Sequence, residues 1–424
     1  MNFPQTAKYL LSLGNEVSAM KLGLENIRTL LVALDDPQNK FLKVQVAGTN
    51  GKGSVCAFLD AICASAGIKT GLYTSPHLVS MTERVRINGS EISEEDFARC
   101  ATRVRETAEN LLTKGKLEYL PTFFEQITAI ALTAFAKAKV KLAILETGLG
   151  GRLDATTAAN AEIAAITRID YDHQEYLGET IDLIAAEKAA IIRQDSKVVV
   201  AEQNPGAMSV IMSVCDKADI FPMLAERVRA DDDNGQLRFE TENAVYTINK
   251  LSLLGRHQIE NAKVAILLAE TLRGNFNISN EHIIEGLQNA KHNGRLEFAE
   301  NILFDGAHNV AGARALREYL NEFVDQPITL IFGSMKDKDV AEIAHILFPA
   351  ADKLILTKPD NLRAMSAEQL AKFVPEDLDP EKIYLTESVK DALKTARKIS
   401  PQGNLVCITG SLYLVGEVKK ILNN

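Results

Sequence analysis

Residues 48–54 read Gly-Thr-Asn-Gly-Lys-Gly-Ser, set between the apolar stretch Val44-Gln45-Val46-Ala47 and the run Val55-Cys56-Ala57-Phe58-Leu59. A glycine-rich turn from strand to helix can aim backbone N–H groups at phosphate oxygens, and Lys52 can neutralise a terminal phosphate. The general loop pattern G-x-x-x-x-G-K-[ST] fails here in two places. Its first glycine falls on Val46, and Gly53 follows the lysine, delaying the hydroxyl to Ser54. Gly48, Thr49, Asn50, Gly51, Lys52, Gly53 and Ser54 are the candidate phosphate cradle, with a plain Gly-rich turn as the competing reading.

Other groups with chemistry sit at comparable places. Glu146 ends the run Leu142-Ala143-Ile144-Leu145, where an ionised carboxylate is costly unless it pairs or binds a cation. Asp170, Asp172 and His173 follow the apolar run that starts at Ile163 and supply oxygen and nitrogen donors. Beside a nucleotide loop such donors suit Mg²⁺, which takes a few protein ligands plus phosphates. Lys188 shares a helical stripe with Ile181, Ile184, Ile191 and Ile192. Either its aliphatic stem snorkels, or the amine is buried and paired, catalytic or modified. Arg295, and the turn Asp305-Gly306-Ala307-His308-Asn309 after Ile302-Leu303-Phe304, read as a helix cap or as half of an interdomain site.

These groups need strands that end together. Continuous apolar runs alternating with helical patterns indicate a mostly parallel sheet covered on both faces, whose ligands gather beyond the strand C-terminal ends. Such runs precede the turns at 48, 147 and 167, and recur at 197–203, 354–360 and 405–415. A fresh strand after the turn near 291–294 starts a second α/β unit, so residues 1–292 and 293–424 are expected as two domains. Residues 231–250 read as an added hairpin turning at Asn234-Gly235. At 424 residues the chain has room for two or three domains, at about 150 residues each.

Composition narrows the function. A net charge of -9 argues against a nucleic-acid binder, which needs surplus Lys and Arg. The five cysteines, Cys56, Cys63, Cys100, Cys215 and Cys407, are scattered without a C-x-x-C pair, as expected for reduced thiols in a cytoplasmic protein. No leader pattern opens the chain, and its longest weakly polar stretch, 127–136, is shorter than the ~20 residues that cross a bilayer. A cytoplasmic protein with no membrane partner is expected.

Taken together, VAGTNGKGS, GLYTSPHLVSMTERVRING, ILETGLGGRLDAT, DHQEYLG, IAAEKAAII, GRLE, DGAHN and ITGSLYL resemble the folylpolyglutamate synthase/dihydrofolate synthase family of Mur-type ATP-dependent amide ligases. The matches run in order along almost the whole chain. GTNGKGS followed by YTSPHL is specific to the folate branch. The resemblance implies a P-loop ATPase-like N-terminal domain with a small added β region and a smaller Rossmann-like C-terminal domain. It implies that the loop and Lys52 bind ATP, and that Ser75, Glu146 and His173 hold Mg²⁺. Lys188 matches a carbamylated lysine whose carbamate helps hold a second Mg²⁺, and Lys52, His173 and Lys188 would be the catalytic set. Asn261, Arg295, Asp305 and His308 match nucleotide contacts, and Thr122, Phe124 and Asp154 match the pterin-binding stretch. The partners implied are ATP, L-glutamate and a folate or dihydropteroate, bound by a monomer. Three positions depart from the family pattern: Thr157 stands for Asn, Ala190 for Gly and Tyr171 for Leu. A related ligase with a non-folate acceptor and a non-catalytic nucleotide-binding module are the alternatives.

Overall fold

The apolar runs become parallel strands in the computed structural model of the chain, which describes residues 1–14, 23–233, 236–376, 378–401 and 403–423. Two units divide it, Met1–Ser252 with Glu260–Ala290, and Leu253–Ile259 with Lys291–Asn424.

The first unit holds an eight-stranded sheet. Its strands are β1 (Leu42–Ala47), β2 (Thr70–Tyr73), β3 (Val85–Ile87), β4 (Ser90–Glu91), β5 (Leu142–Glu146), β6 (Ile163–Ile166), β7 (Lys197–Val200) and β8 (Met223–Leu224). They lie in the order β4-β3-β2-β5-β1-β6-β7-β8. β1 is central and parallel to β5 and β6, so Val46 lies opposite both Glu146 and Ala165. The antiparallel pairs β2–β3 and β3–β4 finish one edge. Parallel strands buried on both faces explain why these runs are apolar without alternation. The strand ends that carry Gly48 and Thr147 are therefore neighbours, as are those carrying Gly48 and Thr167.

Helix Lys52–Ser65 leaves β1 and is buried along most of its length. Against it lies helix Asn280–Asn289, and a Cβ added at Gly286 would collide with the backbone of Ile62. Gly286→Ala is therefore expected to destabilise the fold by roughly 1–3 kcal/mol, because backbone cannot move aside as a side chain can. A urea titration in which the midpoint does not move would contradict this close approach.

A small antiparallel sheet follows, made of β9 (Arg229–Asp233), β10 (Gln236–Glu240) and β11 (Val245–Ile248). The expected hairpin thus gains a third strand, while its Asn234-Gly235 turn lies outside the described residues. Glu270 ties this sheet to helix His257–Leu272 by accepting from Thr241 Oγ1 (2.7 Å), Asn243 Nδ2 (2.8 Å) and the Tyr246 hydroxyl (2.7 Å).

The second unit is a six-stranded sheet of β12 (Glu297–Ala299), β13 (Ile302–Phe304), β14 (Ile328–Phe332), β15 (Lys353–Leu356), β16 (Ile383–Leu385) and β17 (Leu405–Thr409). The order β12-β13-β17-β14-β15-β16 is parallel except for β12, which gives a Rossmann-like sheet. Leu330, Phe332, Leu354, Leu356 and Cys407 form its core with residues of the helix Val340–Leu347, and Phe332 packs edge-on against Phe348 with ring centroids 5.1 Å apart. The main sheet of each unit is parallel-rich and the units are α/β, as the sequence implies. Among the described residues no helix is long and apolar enough to cross a membrane.

Candidate active site

Gly48 and Gly51 have φ of +151° and +91°, so the loop backbone takes a course that L side chains rarely follow. A Cβ at Gly48 would also strike Thr167 Oγ1, and one at Gly51 would strike Asn261 Oδ1. The loop is clamped to the end of β6: Thr49 N and Asn50 N donate to the Arg168 carbonyl at 2.9 and 3.2 Å. Thr49 Oγ1 donates to the Asp170 carbonyl (3.0 Å) and accepts from Asp170 N (3.1 Å). Two of the loop amides are thereby engaged within the chain. The first turn of helix Lys52–Ser65, which bears Gly53 and Ser54, has glycine as its N-cap and no capping side chain. Its N–H groups are the ones suited to an anion.

Two lysines meet at one carbonyl oxygen. Lys52 Nζ donates to the carbonyls of Gly48 (3.0 Å) and Thr49 (3.1 Å), and Lys188 Nζ donates to that of Gly48 (2.8 Å). Lys188 lies in the last turn of helix Ile181–Ala189 and is only 4% exposed. Burial lowers its pKa to about 7, and the Lys52 charge pushes the same way, while Asp172 and Asp154 oppose the shift. Much of the amine is therefore uncharged near neutral pH, the state in which it can add CO₂ to form a carbamate. The Gly-Gly-Arg turn is fitted to the same helix: Arg152 N donates to the Glu187 carbonyl (2.9 Å), and a Cβ at Gly151 would lie 2.9 Å from the Lys188 carbonyl oxygen.

On the other side of β1, the buried carboxylate of Glu146 accepts from the backbone N–H of Ser75 at 3.0 Å. His173 has φ of +51°, with its N–H on Asp172 Oδ1 (2.9 Å) and its ring Nε2 3.7 Å from that oxygen. Among the described residues no three His, Cys, Asp or Glu side chains gather to hold a metal. The separate donors present, the buried Glu146 carboxylate against the Ser75 turn and the His173 imidazole beside Asp172, are of the types that a hard cation takes together with phosphate and water.

Gly148 lies against Phe124, Asp154 and Ser75. A Cβ there would lie 3.2 Å from Phe124 Cε1, 3.2 Å from Asp154 Oδ2 and 3.5 Å from Ser75 Oγ. Asp154 spends both oxygens on its own turn: Oδ2 accepts from Gly148 N and Leu149 N (both 3.0 Å), and Oδ1 from Thr156 N (2.9 Å) and Thr156 Oγ1 (2.5 Å). Its pKa is raised by burial against the pull of those bonds. Thr122 is the N-cap of helix Phe123–Ala138, in a capping box with Glu125. Behind this turn Gln45 Nε2 donates to Thr147 (3.2 Å), Thr156 (2.9 Å) and Thr157 (2.8 Å) hydroxyls, and Thr157 Oγ1 donates to the Gly151 carbonyl (2.7 Å). The departure at Thr157 is thus absorbed into a satisfied network.

The late residues form their own cluster in the second unit. Asp305 Oδ2 accepts from Leu296 N and Oδ1 from Ala307 N, both at 2.9 Å, which fixes Leu296 at φ of +42° next to Arg295. Arg295 Nη1 donates to the Gly306 carbonyl (3.0 Å), and His308 Nδ1 lies 2.7 Å from the same oxygen. Burial raises the Asp305 pKa, and the Arg295 charge opposes the rise. Asn261, by contrast, sits on the loop at Gly51. Gln45 and Thr167 escape a sequence reading as site residues. A glutamine inside the apolar run Val44–Ala47 is the one local signal for the first, and Thr167 gives none.

The Mur ligase middle-domain family matches residues 46–269, and the C-terminal domain family of dihydrofolate synthetase matches residues 288–422. A dihydrofolate synthase/folylpolyglutamate synthase of Bacillus subtilis is 34% identical over 417 residues, 95% of this chain and 95% of that protein. The fold matches Mycobacterium tuberculosis folylpolyglutamate synthase complexed with ADP, with a TM-score of 0.92 and 30% identity over 100% of this chain and 98% of that one. It also matches the Yersinia pestis bifunctional enzyme complexed with AMPPNP and Mn ion, with a TM-score of 0.87 and 29% identity over 100% and 98%. The chain belongs to the dihydrofolate synthase/folylpolyglutamate synthase family of Mur-type ligases.

Proposed function

We propose that the chain is an ATP-dependent ligase that joins L-glutamate to the carboxylate of a folate, extending tetrahydrofolate as polyglutamate, and to dihydropteroate, giving dihydrofolate. The observation that carries the reading is the meeting of Lys52 and Lys188 at the Gly48 carbonyl. The neighbouring strand end adds the Ser75–Glu146 contact. Family membership supplies the substrate class, and relatives with ADP, an ATP analogue and Mn support the nucleotide and a divalent cation.

In this account an acceptor carboxylate oxygen attacks the γ-phosphorus of ATP, the bond to the β-phosphate oxygen breaks, and ADP leaves an acyl phosphate. The uncharged amine of glutamate attacks the acyl carbon and loses a proton, and the tetrahedral intermediate expels inorganic phosphate. Phosphoryl transfer needs positioning and charge neutralisation more than covalent help. Lys52 and the first turn of its helix supply both. Ser75, Glu146 and His173 would hold one Mg²⁺, and Lys188, as its carbamate, would help hold a second. Bound there, Mg²⁺ offsets the repulsion between the acceptor carboxylate and the triphosphate. Asn261, Arg295, Asp305 and His308 are assigned to the nucleotide, and Thr122, Phe124 and Asp154 to the pterin ring. Residues 1–292 serve as the ATP-binding domain and 293–424 as the glutamate ligase domain, a division supported by the limits of the two family matches. We place the protein in the cytoplasm as a monomer that binds small molecules and neither nucleic acid nor membrane. Its net charge of -9 and five buried free thiols support that placement.

Steady-state phosphate release tests the reading with dihydropteroate and with tetrahydrofolate, each with and without glutamate. Glutamate-dependent release with both acceptors is expected. Release only with unrelated carboxylates would move the acceptor outside the folates, and ATP binding without any turnover would make the chain a binding module.

A further inference from the structure

The stretch TSPHLVSMTERVR holds a pair that neither the phosphate loop nor the candidate metal ligands use. Arg84 is 0% exposed, and its guanidinium carbon lies 5.3 Å from the ring centroid of Phe123 and 5.8 Å from that of Phe124. Its backbone carbonyl accepts from Thr74 N at 3.2 Å, so it runs beneath the turn that carries Ser75. From there Arg84 Nε donates to His77 Nδ1 at 2.8 Å. A guanidinium has donors and no acceptor, so Nδ1 must be the bare nitrogen and the ring proton must sit on Nε2. His77 is half-buried, and among the described residues its Nε2 has no hydrogen-bond partner. Arg84 therefore fixes the imidazole as a one-sided donor, and the same guanidinium contacts the Phe124 ring. Phe124 in turn borders Gly148, which Asp154 and Ser75 also approach.

We propose that His77 is a specificity contact for the acceptor, donating from Nε2 to a carbonyl oxygen or ring nitrogen on the edge of a pterin-type heterocycle stacked on Phe124. A flat ring lying on a phenyl face presents its polar edge sideways, within reach of donors around the rim rather than beneath it. A locked donor favours an edge rich in acceptors and disfavours one that presents N–H groups, because two facing donors leave both desolvated. The inference rests on the reading that Phe124 faces the acceptor heterocycle.

Equilibrium binding of dihydropteroate and of ATP to the wild-type chain, His77→Phe and His77→Gln separates the possibilities. Wild type must bind dihydropteroate for the parent reading to stand, and that arm is scored on its own. His77→Phe should then weaken dihydropteroate about tenfold, the scale of one lost hydrogen bond, with ATP affinity within about twofold. His77→Gln keeps an N–H near the Nε2 position and should recover much of the loss. Unchanged dihydropteroate affinity in His77→Phe overturns the proposal. So does a parallel loss of ATP and dihydropteroate binding with a lowered melting temperature, which marks a role in the fold alone.

Discussion

Lys52→Ala should lower ATP-dependent phosphate release by about 10³-fold or more, since it removes the side-chain cation placed at the phosphate loop. The fold should survive the change. Lys52 Nζ donates to the loop's own Gly48 and Thr49 carbonyls, whereas the loop is anchored by the Thr49 and Asn50 amides on Arg168 and by Thr49 Oγ1 against Asp170. Stability should therefore stay within the ~0.5 kcal/mol usual for sites outside a core. Single-turnover phosphate release and thermal melting of the same preparation check both halves. Full activity in Lys52→Ala would remove the loop from the chemistry.

The second large effect concerns Lys188. Lys188→Ala is expected to lose about 10²–10³-fold in turnover, the usual cost of removing one preorganised charge at a phosphoryl-transfer site. If the working form is a carbamate, a short carboxylic acid should partly restore Lys188→Ala, and intact-protein mass spectrometry should find the adduct on wild type kept in bicarbonate. The pH dependence has a definite sign. With its pKa lowered to about 7 by burial and by Lys52, the amine loses its proton as pH rises through that value, so bicarbonate-dependent activation should grow across it. In CO₂-free buffer the unfolded chain keeps this proton up to about pH 10.4. Between the two values the folded chain binds fewer protons, so stability should rise with pH over that window. Lys188→Met should flatten that slope and be the more stable protein at neutral pH. An unshifted slope, or full turnover without bicarbonate, would contradict the assignment.

How far the sequence reached depends on how local each signal is. The phosphate loop, Glu146 and Lys188 are legible because a seven-residue turn, a strand-end carboxylate and a lysine on an apolar stripe are patterns in neighbouring residues. The parallel sheets follow from unbroken apolar runs, yet β2, whose Thr70-Gly71-Leu72-Tyr73 is short and contains glycine, gives little to read. Its Gly71 is needed because a Cβ there would press into the Phe135 ring. Arg84 shows the larger gap. In the polar string Thr82-Glu83-Arg84-Val85-Arg86 it looks like a solvated charge, and only the packing of Phe123 and Phe124 from a helix some forty residues away buries it. Thr167 under Gly48 and Asn261 over Gly51 are of the same kind: close in space, distant in sequence, and invisible to periodicity.

The central claim is that ATP activates the acceptor carboxylate itself. It is tested most directly with dihydropteroate labelled with oxygen-18 in that carboxylate, incubated with the chain, ATP and glutamate. An acyl-phosphate route must pass one labelled oxygen to the inorganic phosphate released, in step with the dihydrofolate formed. Dihydrofolate formed with unlabelled phosphate would contradict the account.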